Sequence, residues 1–162
     1  MPNGAWCFCY SGWVRGWILL AACCSLVSCD EKRNQLIGAQ LVEAGGGSVQ
    51  VLVASAHAKA KTEGRRLVVY VGASWCEPCT YFVEAIHANQ LPKEFVDLRF
   101  LKFDYDKDEE RLGVAGFGGQ MLPRFVVPQA DGIASEHRFE GSIKGPDAMA
   151  DLVPKLKAIL VF

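Results

Sequence analysis

Two cysteines, Cys76 and Cys79, are the residues of this chain whose type and spacing most clearly indicate chemistry. The sequence holds seven cysteines, and five of them precede Asp30, so this pair stands alone in the part that can fold as a domain. One closely spaced pair is not a disulfide framework. Two thiols separated by two residues can instead make and break a single disulfide, which is the chemistry of thiol–disulfide exchange.

The local sequence Trp75–Cys79, which reads W-C-E-P-C, predicts that the pair opens a helix running to about Asn89. A thiol at a helix N-terminus faces unpaired backbone N–H groups and the positive end of the helix dipole, and both stabilise a thiolate. Pro78 is acceptable in the first turn because no hydrogen-bond donor is needed there. We therefore expect Cys76 to be the attacking nucleophile and Cys79 to resolve the mixed disulfide.

Glu77 is the residue expected to tune the pair. A carboxylate beside Cys76 opposes formation of the thiolate. A less stabilised thiolate favours the disulfide form, so the couple should be more reducing than strong oxidants of the same chemistry. The alternative is that Glu77 points into water and contributes little.

Besides thiol–disulfide exchange, the cysteine pair could bind zinc, bind copper or form a purely structural disulfide. A structural zinc site needs more ligands than two thiolates, and the three histidines give no plausible set, so we expect no zinc; they are His57, His87 and His137. Copper handling is a stronger rival, because thiolates and thioethers bind Cu(I) and Met121 could supply a thioether. The third possibility is a disulfide that only stabilises a binding module.

The elements that must position the pair follow from the pattern after Ser48. The sequence predicts a helix, a strand, a helix, a strand, a short helix, two strands and a last helix. The strands are Leu67–Val71, Leu98–Phe103, Phe125–Val127 and about 136–140; the later helices are about 106–112 and one opening at Pro146. Layer rules make this an α/β fold, a three-layer α/β/α sandwich around a central mixed sheet.

Residues 1–28 are predicted to be a lipoprotein-type signal peptide. The 13-residue, mostly apolar stretch from Gly16 to Ser28 suits a secretory signal better than a membrane span, which needs about 20 apolar residues. Leu26–Cys29 resembles the lipobox of bacterial lipoproteins, in which the cysteine is lipidated. A second match ends at Cys23, but we prefer Cys29 because the earlier cleavage leaves a very short apolar region. A plain secretory signal or an uncleaved signal anchor are the alternatives.

Residues 29–47 are predicted to be a tether, helix-compatible as far as Ala44 and ending in three glycines, and residues 48–162 the folded domain. The net charge is −1, with 17 basic and 18 acidic residues. No basic patch indicates nucleic-acid binding. An acidic run from Asp104 to Glu110 is interpreted as a solvated loop and helix start, since it lacks the spacing of a calcium loop.

Over about residues 49–161 the sequence resembles the thioredoxin superfamily. The resemblance rests on the strand before the motif, Ala73–Cys79, Leu122-Pro123 before a later strand, and the turn Ala130–Gly132. It is most similar to the C-terminal domain of bacterial transmembrane thiol:disulfide interchange proteins and to membrane-tethered thioredoxin-like lipoproteins of cytochrome c maturation. The resemblance implies a thioredoxin fold and a thiol–disulfide oxidoreductase.

The resemblance also implies roles for single residues. Cys76 and Cys79 would be catalytic, with Trp75, Glu77 and Pro78 supporting them. Leu122 and Pro123 would bind an extended substrate, with Pro123 in the cis form.

Two departures from the family pattern stand out. Tyr70 occupies the position where many thioredoxins carry a buried aspartate that accepts a proton from the second cysteine, and Tyr is a poor base near neutral pH. Arg124 stands where threonine usually follows the cis-proline.

These observations together predict an enzyme of a bacterial cell envelope. It would be lipid-anchored to the membrane, facing the periplasm or the cell exterior, and would reduce or exchange disulfides of other proteins. We expect no organic cofactor beyond the cysteine pair. A membrane redox partner would have to regenerate it, because the electrons passed to substrates must be replaced.

Overall fold

The computed structural model describes residues 37–160. The predicted signal peptide and its lipidation site Cys29 therefore lie outside the described residues. The elements are β1 (Gln40–Glu43), α1 (Val49–Thr62), β2 (Arg66–Gly72), α2 (Glu77–His87), a short 3-10 turn (Lys93–Phe95), β3 (Leu98–Asp104), α3 (Tyr105–Val114), β4 (Arg124–Pro128), β5 (Ala134–Glu140) and α4 (Ala148–Leu160).

The five strands form one mixed sheet in the order β1-β3-β2-β4-β5. β1 and β2 both run parallel to β3, while β4 runs antiparallel to β2 and to β5. The central strands are almost entirely buried, as expected for a sheet covered by helices on both faces. The predicted α/β thioredoxin fold with a central mixed sheet is confirmed.

The first strand corrects the sequence interpretation. Residues 40–43 were predicted to be part of a helix-compatible tether, but they form β1 and pair in register with residues 99–102 of β3. The fold therefore begins before Ser48. Gly45 and Gly47, also assigned to the tether, are held by Arg111, whose guanidinium donates to both carbonyl oxygens at 2.9 and 2.8 Å. β1 is a four-residue edge strand with two half-buried and two exposed residues, so its sequence shows little alternation of apolar and polar residues.

Alternation along the strands gives the sheet two different faces. The first face packs against α2 and α4 and is rich in aromatic rings, among them Tyr70, Phe100 and Phe125. The second face packs against α1 and α3 and is mainly aliphatic, with Val69, Val71, Leu101 and Phe103. Cys76 and Cys79 belong to the first face.

The last helix also differs from the prediction. Residues 146–147 form a turn, and α4 begins at Ala148. Pro154 lies inside the helix, where it removes one backbone hydrogen bond. The helix is still anchored by its apolar side, on which Leu152, Leu156 and Ile159 are buried. Among residues 37–160, none of the helices combines the length and the apolar character that crossing a membrane requires.

Candidate active site

The cysteine pair forms a disulfide at the start of α2, as the spacing predicted. Cys76 is the N-cap residue, with extended backbone dihedrals, and its carbonyl accepts the N–H of Thr80 at 3.1 Å. Pro78 lies in the first turn and is buried. The Cys76 sulfur is therefore placed where the helix dipole and the free N–H groups of the first turn stabilise a thiolate.

The two cysteines are buried to a similar degree but have different neighbours. Cys76 is 5 % exposed and is flanked by exposed side chains at Trp75 and Glu77. Cys79 is 2 % exposed and lies within the aromatic cluster of the first sheet face, one turn further into α2. Cys76 is thus the cysteine with the more exposed flanking residues, and its role as nucleophile stays a prediction.

Trp75 is held in place although 64 % of it is exposed. Its indole N–H donates to both carboxylate oxygens of Asp106, at 3.1 and 3.0 Å. The ring of Tyr105 meets the indole edge to face, with centroids 6.1 Å apart. These contacts fix a flat apolar surface next to Cys76, which suits an extended peptide. Nothing in the sequence indicated Asp106 as a partner of Trp75, because Asp106 lies within the acidic run.

The Leu122–Pro123 peptide bond is cis, which confirms that prediction. Pro123 immediately precedes β4, whose first residue Arg124 pairs with Val71 near the end of β2. Since α2 follows β2, the proline loop and the cysteines lie at the same end of the sheet. Leu122 is half-buried and packs against the core of both faces.

An ion pair between buried Arg124 and half-buried Glu140 holds the loop before the cis-proline. Arg124 is 2 % exposed; its Nε donates to Glu140 Oε2 at 3.4 Å and its Nη1 to the Phe117 carbonyl at 3.1 Å. The same Glu140 oxygen accepts the backbone N–H groups of Gln120 and Met121, at 2.8 and 3.0 Å. Sequence reasoning noted Arg124 only as a departure. The structure shows that it ties β4, β5 and the proline loop together.

The charge of Glu140 is favoured by this arrangement. Burial alone would raise the pKa of Glu140, but the N–H groups of Met121 and Gln120 and the Arg124 guanidinium outweigh it and lower the pKa. Gly119 is required beside this pair, because a side chain there would collide with Glu140 Oε2 and Arg124 Nε. The close approach of these two side chains therefore explains why residue 119 of the proline loop is a glycine.

Tyr70 lies directly beneath the second cysteine. It is fully buried, its ring contacts Phe82 and Phe125, and its hydroxyl donates to the Cys79 carbonyl at 3.5 Å. Burial, with a smaller contribution from the charge of Glu43, raises the pKa of Tyr70 above its ordinary value. The hydroxyl therefore stays protonated near neutral pH and cannot accept a proton from Cys79.

The acidic run is only partly the solvated segment that the sequence predicted. Asp106, Glu109 and Glu110 are exposed, but Asp108 is buried, accepts the Asp104 N–H at 3.0 Å and pairs with Arg111. Within the described part of the chain, no group of three or more histidine, cysteine or acidic side chains is arranged to hold a metal ion.

Comparison with known proteins agrees with this geometry. The thioredoxin-like family model matches residues 50–130, which include β2, the motif and β4. No curated protein sequence matches the chain.

Solved thioredoxin structures are similar to it. Oxidised thioredoxin O1 from Arabidopsis thaliana is 22 % identical, with a TM-score of 0.45 over 76 % of this chain and 95 % of that one. Fasciola hepatica thioredoxin is 26 % identical, with a TM-score of 0.42 over 63 % and 86 %. Trxlp from Edwardsiella tarda EIB202 is 20 % identical, with a TM-score of 0.43 over 70 % and 98 %.

The family match covers half of the chain and includes the motif that forms the disulfide. The disulfide opens a helix and shares its end of the sheet with a cis-proline. The chain belongs to the thioredoxin-like family and is a thiol–disulfide oxidoreductase.

Proposed function

We propose that this protein reduces or exchanges disulfides of other proteins outside the cytoplasm of a bacterium, on a lipid anchor at Cys29. The observation that carries the proposal is the Cys76–Cys79 disulfide at the N-terminus of α2, bordered by the exposed indole of Trp75 and the cis-proline loop. The lipobox-like sequence supports the location and the anchor.

The reaction begins from the reduced pair. The Cys76 thiolate attacks a substrate disulfide, forming a mixed disulfide and releasing one substrate sulfur as a thiolate. The Cys79 thiol loses its proton and attacks Cys76 Sγ, which forms the protein disulfide and releases the second substrate sulfur. Two electrons pass to the substrate in all. A dithiol partner, which we place in the membrane, returns the pair to the reduced state, so no organic cofactor is needed.

The site is suited to binding an extended peptide. The backbone at Leu122 precedes the cis-proline, and Met121 beside it is 55 % exposed. Together with Trp75 they present apolar surface around the cysteine pair. Leu122 and Pro123 would hold the substrate chain, while Trp75 would cover its side chains.

The test is the reduction potential of the pair, measured on the full chain in detergent by equilibration with glutathione or dithiothreitol buffers. We expect a value near thioredoxin's, about −270 mV, which fits a reductant. A value near about −120 mV would make the protein an oxidant and overturn the reductive direction.

Two variants sharpen this measurement. Cys79→Ser is the control that cannot form the internal disulfide, so any signal that remains comes from the five cysteines before Asp30 or from a mixed disulfide with the buffer thiol. Glu77→Gln should give a more oxidising potential if Glu77 opposes the thiolate, and an unchanged potential would show that water screens it. If the wild-type pair forms no disulfide in any buffer, the exchange reaction itself is excluded.

A further inference from the structure

Resolution of the mixed disulfide requires a proton acceptor for Cys79. The thiol must lose its proton to attack Cys76, yet Cys79 is 2 % exposed, and burial disfavours a charged thiolate. Tyr70, the residue beneath it, is kept protonated by its own burial. Another group has to take the proton. This inference rests on the exchange reaction proposed above.

A cleft of about 340 Å³ opens beside Cys79. It lies between the first sheet face and α2, and its lining includes Cys79, Tyr70, Glu84, Lys102 and Asp104. Water takes about 30 Å³ per molecule in the liquid, so the cleft has room for a short chain of water molecules. Such a chain can carry a proton between groups that do not touch.

Asp104 is the acidic residue best placed to use this cleft. It is the last residue of β3 and pairs with Gly72 of β2, while Lys102 pairs with Tyr70, so all four positions share the first sheet face. Gly72 has no side chain, and the Tyr70 hydroxyl fills the space where its Cβ would be. Asp104 therefore lies next to the hydroxyl that contacts the Cys79 backbone.

The bonding of Asp104 supports the same role. Its Oδ1 atom is buried and has no hydrogen-bond partner among residues 37–160. Its side chain makes no capping hydrogen bond at the start of α3, although Asp104 is the N-cap residue. Buried polar atoms in proteins are nearly always hydrogen-bonded to protein or to ordered water, so this oxygen is free to bond water in the cleft.

The other charged groups around the cleft are less suited. Lys102 carries a positive charge that pairs with Glu43 at 2.9 Å, and it cannot accept a proton in that form. Glu84 is exposed at the outer side of α2, where water surrounds it. Asp108, which faces Asp104 from α3, accepts the Asp104 backbone N–H and binds Arg111.

We propose that Asp104 accepts the proton of Cys79, through water in the cleft, when Cys79 resolves the mixed disulfide. The proton leaves the Cys79 thiol for the Asp104 carboxylate. The Cys79 sulfur forms its bond to Cys76 Sγ, and the bond from Cys76 to the substrate sulfur breaks. The substrate leaves as a thiolate, and Asp104 later returns its proton to solvent. A carboxylate on β3 thus takes the role for which Tyr70 of β2 is unsuited.

The test separates the two sulfur attacks in one experiment. The reduced full chain, with the five cysteines before Asp30 replaced by serine so that only Cys76 and Cys79 react, is mixed with a symmetrical nitrobenzoate disulfide, whose thiolate is coloured when released. Attack by Cys76 releases the first equivalent, and attack by Cys79 releases the second. General-base assistance is typically worth about 10²–10⁴-fold, so Asp104→Asn should slow the second phase by roughly 10²-fold near pH 7 and leave the first unchanged.

The matched control is Glu84→Gln, which neutralises the exposed carboxylate of the same cleft and should change the second phase by less than about twofold. Asp104→Glu keeps a carboxylate and should recover part of the rate. An unchanged second phase in Asp104→Asn overturns the proposal, and so does a loss that appears in Glu84→Gln instead.

The pH profile of the wild type tests the proposal without any variant. With a carboxylate as acceptor, the second-phase rate should be nearly flat between about pH 5 and pH 8, below the usual range of thiol ionisation. A rate that rises about tenfold per pH unit throughout would mean that the proton goes directly to solvent, which overturns the proposal. If the wild type never releases a second equivalent, the exchange reaction has failed rather than this inference.

Discussion

Arg124 and Asp104 lie on opposite faces at the end of the sheet that carries the cysteines, and the two charges are bonded very differently. On the second face Arg124 is 2 % exposed and bonded to Glu140 and to the Phe117 carbonyl, with only its Nη2 left without a partner in the described chain. On the first face Asp104 is half-buried and one of its carboxylate oxygens lacks any partner there. A charge with several fixed partners positions a loop. A carboxylate facing a cleft beside a cysteine is available for proton transfer.

If this contrast is right, the largest loss of stability should come from Arg124→Met. The substitution removes the cation of half-buried Glu140 and the donor of the Phe117 carbonyl, and breaking such a pair costs at most about 3–5 kcal/mol, the range for a pair buried on both sides. Glu140 would still hold the N–H groups of Gln120 and Met121. The measurement is urea unfolding of the oxidised protein.

The control for this prediction is Lys157→Met. Lys157 pairs with Glu94 at 2.9 Å, but their side chains are 61 % and 51 % exposed. Exposed pairs contribute about 0–1 kcal/mol, so this variant should be nearly as stable as the wild type. A loss below about 1 kcal/mol for Arg124→Met would show that the Arg124 pair is no more important than a surface pair.

An intermediate effect is expected from Glu140→Gln, and it should depend on pH. The folded pKa of Glu140 lies below its ordinary value of 4.5, so its charge stabilises the fold above that pH. Hydrogen bonds to a charged group contribute about 1.5–3 kcal/mol, which is the loss expected at pH 7. The stabilisation disappears as the pH falls from 4.5 through the folded pKa, because the carboxylate is then protonated in both states.

Urea unfolding of wild type and Glu140→Gln between pH 7 and about pH 2.5 measures this difference. The two stabilities should converge as the solution becomes more acidic. A constant difference would mean that the variant acts through altered packing rather than through the carboxylate charge. Asp131→Asn provides a comparison, since Asp131 is an exposed turn residue whose carboxylate accepts the nearby Ile133 N–H.

The sequence predicted the elements around the cysteines because their patterns are strong and local. Val68, Val69 and Val71 form a buried β-branched run, and the motif that follows marks the start of a helix. The cis form of Pro123 was also predicted and is confirmed. These features depend on neighbours in sequence or on a motif, so one sequence is enough to find them.

The features that the sequence did not reveal depend on distant partners. β1 is recognisable only through its pairing with β3, since two of its four residues are exposed. Arg124 and Glu140 are 16 residues apart, and nothing in either stretch indicates an ion pair between them. Asp104 was hidden in an acidic run, where its position on the first sheet face depends on the register of β3 with β2. Long-range contacts of this kind have no local periodicity.

The smallest change in stability should come from Asp104→Asn. This variant neutralises the carboxylate that is compared above with the Arg124 guanidinium. Its side chain makes no capping bond and its Oδ1 atom bonds to no group of the described protein, so neutralising it removes neither kind of bond. What is lost is the favourable effect of a negative charge at a helix N-terminus, which is about 0.3–1 kcal/mol. We therefore expect the unfolding free energy to change by less than about 1 kcal/mol, even though resolution by Cys79 becomes slow. Loss of several kcal/mol in urea unfolding would show that Asp104 supports the fold as Arg124 does, and the distinction between the two charges would fail.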